Sequence, residues 1–197
     1  MKVGVKMCGR YYIDSNNKEI KQIIDKIDDN LYVEHYDEIY PSNIVPIIIA
    51  DNVLEYKVVL ANWGLKNHFN SNLLINAKSE TIFEKKTFKK AILNKRCLIP
   101  CTGFYEWKVI NKNEKEKYMF EALNDDVLYL LGIYQENHDG SNNFVIITKS
   151  PNIIVEKYHN RMPAIINKND INAWLNDLQC TKYYLSNDDV KLKVKRA

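Results

Sequence analysis

A chain of 197 residues that is 46% hydrophobic and 27% charged has the make-up of one globular domain. A chain of this size buries about 70% of the surface its unfolded form exposes. No apolar run approaches the ~20 residues of a membrane helix, which excludes a helical membrane protein. The net charge of +3 is compatible with an anionic partner without requiring one.

The opening MKVGVKMCGRYY places Met7 directly before Cys8, Gly9 and Arg10. With Met7 removed, Cys8 would carry a free α-amine beside its thiol, a pair that no other residue offers. No apolar signal core precedes it, so a cytoplasmic protein is expected, with Cys8, Cys97, Cys101 and Cys180 as reduced thiols. Ile20, Ile23, Ile24 and Ile27 predict a helix capped by Asn16 with Glu19. Strands are expected at Ile44–Ile49, Leu54–Leu60 and Leu73–Ile75. Ser79 is placed as the cap of a lysine-rich helix reaching Leu93. Further strands follow at Arg96–Pro100, Phe104–Ile110, Lys117–Leu123, Val127–Tyr134 and Phe144–Thr148. Polar turns NKNEKE and ENHDGSNN lie between them. Ser150-Pro151 predicts a helix start, and Asn169 a cap for a last helix carrying Ile171, Trp174, Leu175 and Leu178. Lys85–Lys86, Lys89–Lys90 and Lys95–Arg96 form a basic stretch, and the tail KLKVKRA reads as solvated surface. Consecutive strands without alternating helices give an α+β, β-rich single domain with a largely antiparallel sheet or barrel-like core and a few peripheral helices.

Four stretches set ionisable groups among apolar neighbours: MCGR, INAKSET, CLIPCTGFYEW and HNRMP. Singly, each has a plain structural reading. Glu106 can face solvent from a strand, His159 can cap a helix end, Asn76 can finish a strand, and Cys8 can be a small buried hydrophobe. Jointly they form a reactive set with a thiol nucleophile, two proton carriers and an amide to hold an oxygen. Arg10, Lys78 and Arg161 lie close by in sequence and suit phosphates. Trp63 and Trp107 offer faces for bases, although core packing serves Trp63 equally well.

These stretches resemble the SOS-response-associated peptidase (SRAP) family. The matching residues are Cys8-Gly9-Arg10, Trp63-Gly64-Leu65, Asn76-Ala77 with Glu80-Thr81, Arg96-Cys97-Leu98-Ile99-Pro100, Gly103-Phe104-Tyr105-Glu106-Trp107 and His159-Asn160-Arg161-Met162-Pro163. Their order and spacing fit from about Met7 to Leu178. The resemblance implies a monomer that binds single-stranded DNA and links covalently to abasic sites through Cys8 as first residue, closing a thiazolidine ring. It further implies that Asn76, Glu106 and His159 complete the active site, that Arg10 and Arg161 contact DNA, and that peptidase self-processing and lyase activity accompany the crosslinking. No cofactor or metal is implied, and a nucleoid-associated place when DNA is damaged is. Residues 1–7 would then be an extension and residues 8–197 the domain. Lys78 stands where the family usually has Arg, which replaces a bidentate fork by a point charge. The segment after Leu178 does not show the family's usual ending.

Two other classes of function fit parts of the pattern. A cysteine hydrolase would use Cys8 and His159 and would need no free amine. A non-covalent module for single-stranded nucleic acid would survive loss of Cys8. A zinc site on Cys97-x3-Cys101 lacks the second ligand pair that a structural zinc needs.

Overall fold

Runs of β-branched and aromatic residues with period two pair into sheets, and the chain folds around them. The computed structural model describes residues 8–27, 37–52, 55–67, 71–124 and 127–197. The strands are β1 (Arg10–Tyr12), β2 (Glu38–Ile39), β3 (Ile44–Asn52), β4 (Glu55–Trp63), β5 (Leu65–Lys66), β6 (Leu73–Leu74), β7 (Asn76–Lys78), β8 (Arg96–Cys101), β9 (Gly103–Asn111), β10 (Glu114–Ala122), β11 (Leu128–Glu136), β12 (Asn142–Lys149), β13 (Met162–Pro163), β14 (Ile165–Ile166) and β15 (Leu192–Arg196). The helices are α1 (Lys18–Ile24), α2 (Lys86–Asn94), α3 (Ile171–Asn176) and α4 (Thr181–Ser186).

Strands β12, β4, β3, β8 and β11 pair in turn, and β11 pairs again with β12, so the sheet closes on itself. Closure removes the exposed edges that an open sheet would carry. The barrel is antiparallel except where β12 meets β4. Beyond that contact β12 takes β7 as a second parallel partner, with Ile146 opposite Asn76 and Thr148 opposite Lys78. A second antiparallel sheet has the order β15-β10-β9-β1-β2. Its pairing sets Arg10 opposite Tyr105, which brings the start of the described chain beside β9.

All six residues of β8 are buried, because one face lines the barrel and α2 and α3 lie on the other. Arg96 opens that strand and is itself buried. Its guanidinium donates to the carbonyls of Ile92 and Leu93 at the end of α2, and to those of Trp174 and Leu175 in α3. One side chain thus satisfies orphan carbonyls of two helices and neutralises their negative ends. It therefore leaves the basic surface stretch to the lysines around it.

The α+β, barrel-like expectation holds, and the differences are local. Asn17 caps α1, accepting from the amides of Glu19 and Ile20, while Asn16 donates its own amide to Asp14. Ile27 packs beyond the end of α1. The expected strand at Leu54–Leu60 runs from Glu55, with Leu54 outside the described residues. The expected strand through Ile75 divides into β6 and β7. Ser79 caps no helix: its amide bonds Thr148 O, and α2 begins only at Lys86. After Ser150-Pro151 there is one 3-10 turn, Val155–Lys157. Asn169 lies within another, and Asp170 precedes α3 without a side-chain cap. The tail is not merely solvated surface, since β15 pairs with β10 and buries Leu192.

Replacing Arg96 by Met should leave four carbonyls without their donor at little loss of volume. Unfolding by denaturant should show a loss of at least about 3 kcal/mol, given ~1–3 kcal/mol per stranded buried group. A loss under about 1 kcal/mol would mean that water caps both helices equally well.

Candidate active site

The face of a strand residue is set by its parity. Phe104 stacks on Phe120 in the interior, and Glu106, two residues on, projects on the same side. Glu106 is therefore only 1% exposed, not on the solvent face. Its Oε1 accepts from the backbone nitrogen of Cys8 at 2.8 Å. Its Oε2 lies 3.4 Å from His159 Nδ1. Cys8 and His159 are buried as well. Three of the four residues expected to carry chemistry thus touch, although they lie 98 and 53 positions apart along the chain.

Burial pushes the Glu106 carboxyl up to about 7, against the opposing pull of the Cys8 thiol and of the amides of Cys8 and Trp107. Burial also pushes the Cys8 thiol well up, with the Glu106 charge adding to it and Arg161 opposing. The thiol is therefore a neutral, hydrogen-bonded group in the resting site. His159 Nδ1 is bracketed by the main chain of Arg161, 3.2 Å from its N–H and 3.1 Å from its carbonyl. His159 Nε2 is buried and has no hydrogen-bond partner among the described residues.

A cleft of about 320 Å³ opens above this trio, lined by Gly9, Arg10, Tyr40, Pro41, Ile75, Glu106, Trp107, Val109, Lys115 and His159. Asn76, the first residue of β7, adjoins Ile75 of that lining and is half-buried. It approaches the site by position.

The cationic residues are less free than their sequence suggested. Arg10 pairs with Glu38 at 2.9 Å, and its guanidinium sits over the rings of Tyr40 and Trp107. Lys117 reaches the other oxygen of Glu38 at 2.6 Å. Arg161 is held by Glu80. Lys78 is exposed. Trp107 is half-buried beside the cleft. Trp63 cannot serve as a face for a base: it is fully buried, packed between Tyr11 and Phe144, with Nε1 donating to Ile75 O. It fills the barrel and pins the segment that carries Asn76.

Sequence reasoning missed Glu38, Tyr40 and Lys115. Tyr40-Pro41 was the available signal, an aromatic joined to a rigid turn residue. Glu38 and Lys115 stand in polar surroundings that nothing local distinguishes.

Comparison with known proteins fits this geometry. The profile of the family described as SOS response associated peptidase (SRAP) matches residues 7–191. The abasic site processing protein YoqW of Bacillus subtilis is 30% identical over 193 residues, spanning 91% of this chain and 84% of its own. The abasic site processing protein YoaM of the same organism is also 30% identical, over 91% of this chain and 83% of its own. The abasic site processing protein HMCES of Xenopus tropicalis is 25% identical over 123 residues, 51% of this chain and 37% of its own. A crystal structure of a Bacteroides thetaiotaomicron protein superposes with a TM-score of 0.76 at 24% identity, covering 96% of this chain and 91% of that one. A Bordetella bronchiseptica protein superposes with 0.79 at 18% identity, over 96% and 99%. The chain belongs to the SRAP family.

Glu106 also leaves a mark on stability. Its proton is held more tightly in the folded state than in the unfolded chain, where a carboxyl titrates near 4.5. Its contribution is therefore fully present below pH 4.5 and is withdrawn as pH rises through about 7. Stability measured from pH 4 to pH 8 should fall by about 3 kcal/mol more in the natural protein than in Glu106→Gln. Parallel curves for the two would show that the carboxyl titrates normally.

Proposed function

We propose that the chain is an abasic-site sensor that binds single-stranded DNA and crosslinks to it through Cys8 as the first residue. The observation that carries this reading is the Cys8 nitrogen held 2.8 Å from a buried carboxyl that titrates near neutrality. Burial raises that carboxyl toward the ~7.7–8 of a free α-amine, which suits it to taking a proton from the ammonium and returning it later.

The chemistry follows from that pair. Glu106 takes a proton from the α-ammonium, and the neutral amine attacks the aldehyde carbon of the opened sugar. The carbinolamine loses water to give an imine, with Glu106 returning the proton to the departing oxygen. The thiol then adds to the same carbon, and its proton passes to the imine nitrogen. The products are a thiazolidine and one water. Closing the ring within one residue gives the second step a high effective concentration. His159, which lines the cleft and whose Nε2 has no hydrogen-bond partner among the described residues, is suited to protonating the sugar ring oxygen as the ring opens, and Asn76 to holding the sugar or its phosphate. Trp107 and Arg10 flank the cleft where a base and a phosphate would lie, with Arg10 exchanging Glu38 for the phosphate. Lys78 and Arg161 extend the cationic side. The imine stage also permits β-elimination, which is the basis of a lyase activity.

Removal of residues ahead of Cys8 is a second reaction that the geometry favours. In a chain still joined to Met7, the nitrogen bonded to Glu106 is the leaving group of the Met7–Cys8 bond. Protonated Glu106 can give it a proton as water adds to the Met7 carbonyl. Cys8 has φ of 34°, a left-handed conformation that costs a non-glycine residue about 1 kcal/mol or more. A first residue has no φ, so the strain exists only while a residue precedes it.

A chain starting at Cys8, incubated with single-stranded DNA carrying an abasic site, should give a denaturation-resistant adduct. Its mass should equal protein plus DNA less one water, and Cys8→Ser should lose it. An equally efficient adduct from a protein whose mass shows residues 1–7 still attached would overturn the amine mechanism.

A further inference from the structure

Glu80 lies outside the cleft lining, yet it joins the reacting groups through one residue. Both of its carboxylate oxygens accept from the Arg161 guanidinium. The same guanidinium donates to Thr148 O at 2.6 Å, which fastens it to β12. The Arg161 side chain is 11% exposed and so is held within the protein surface. The main chain of this clamped residue brackets Nδ1 of His159. The ring is thereby fixed through one nitrogen, and the buried Nε2 has no hydrogen-bond partner among the described residues.

We propose that Glu80 is a positioning residue for the crosslinking chemistry. By holding the Arg161 guanidinium from the turn after β7, against Thr148 of β12, it fixes the His159 ring, and it withholds the Arg161 charge from DNA. This rests on the function proposed above. The arrangement assigns two opposite effects to one carboxylate. Fixing His159 speeds the reaction, because misplacing a catalytic group by an ångström costs up to about a hundredfold. Neutralising Arg161 weakens DNA binding, because a charge spent on an internal partner displaces no counterion from DNA. The Arg161 hydrogen bonds lower the Glu80 carboxyl from its ordinary value, so it stays ionised while it does this.

Glu80→Gln separates the two effects. The test uses the chain starting at Cys8, with abasic single-stranded DNA for the rate and intact single-stranded DNA for affinity. The crosslinking rate at saturating DNA should fall about tenfold or more. Affinity for intact DNA should stay equal or rise, with the salt slope steepening by about 0.7. The ring nitrogen signals of His159 should shift, and Glu80→Asp should recover part of the rate. An unchanged rate with unmoved His159 signals would overturn the proposal. So would a parallel loss of rate, affinity and melting temperature, which marks a merely structural ion pair. Failure of the unaltered chain to crosslink would instead overturn the proposed function, and His159 signals and DNA affinity would still decide the clamp.

Discussion

A carboxyl buried against the nitrogen of Cys8 is the constraint around which the cleft is organised. In water Glu106 would be ionised well below neutrality and would hold no proton at pH 7. Placed on the interior face of β9 between the two sheets, it titrates near 7 and can both take and give one. The cost is folding free energy withdrawn whenever the carboxyl ionises, and the barrel supplies the rigidity that offsets it. Closure of the barrel, the packed Trp63 and the double cap by Arg96 are thus linked to function through the price of one buried acid.

The rest of the site serves the same pair of atoms. The register of β1 on β9 brings Cys8 to Glu106 from one side. The turn after β12 brings His159 from the other, its ring tied to the main chain of Arg161, whose side chain bonds β12. Two of the cations near the cleft are paired within the protein, Arg10 with Glu38 and Arg161 with Glu80. Under the proposed function, binding DNA means exchanging these internal carboxylates for phosphates.

Much of this was readable in the residues, and what was not has physical reasons. The long strands announced themselves because a half-buried strand alternates apolar and polar residues. Short strands such as β1, β13 and β15 owe their existence to partners distant in sequence, which local pattern does not encode. Helix caps were misplaced because Ser, Asn and Asp recur along this chain and tertiary bonds choose among them. Asn17 won at α1, while the amide of Ser79 was taken by Thr148. Alternation shows that Glu106 and Phe104 share a face but not which face is inside, so the burial that raises the acid was invisible. Trp63 was ambiguous for the same reason. Glu80 stood in a recognisable motif without a role, because its partner lies 81 residues away.

The central claim is that Glu106 exchanges a proton with the Cys8 nitrogen near neutral pH. Carbon-13 NMR of labelled glutamate carboxyls, with Glu106→Gln to assign the signal, measures that titration directly. The account predicts a midpoint near 7 for Glu106 while Cys8 is still joined to Met7 and its nitrogen is an uncharged amide. In the chain starting at Cys8 the α-ammonium lowers the Glu106 midpoint, and the crosslinking rate should inflect as the two groups titrate together. A midpoint near the ordinary 4.5, or a rate that passes through neutrality without inflection, would contradict it.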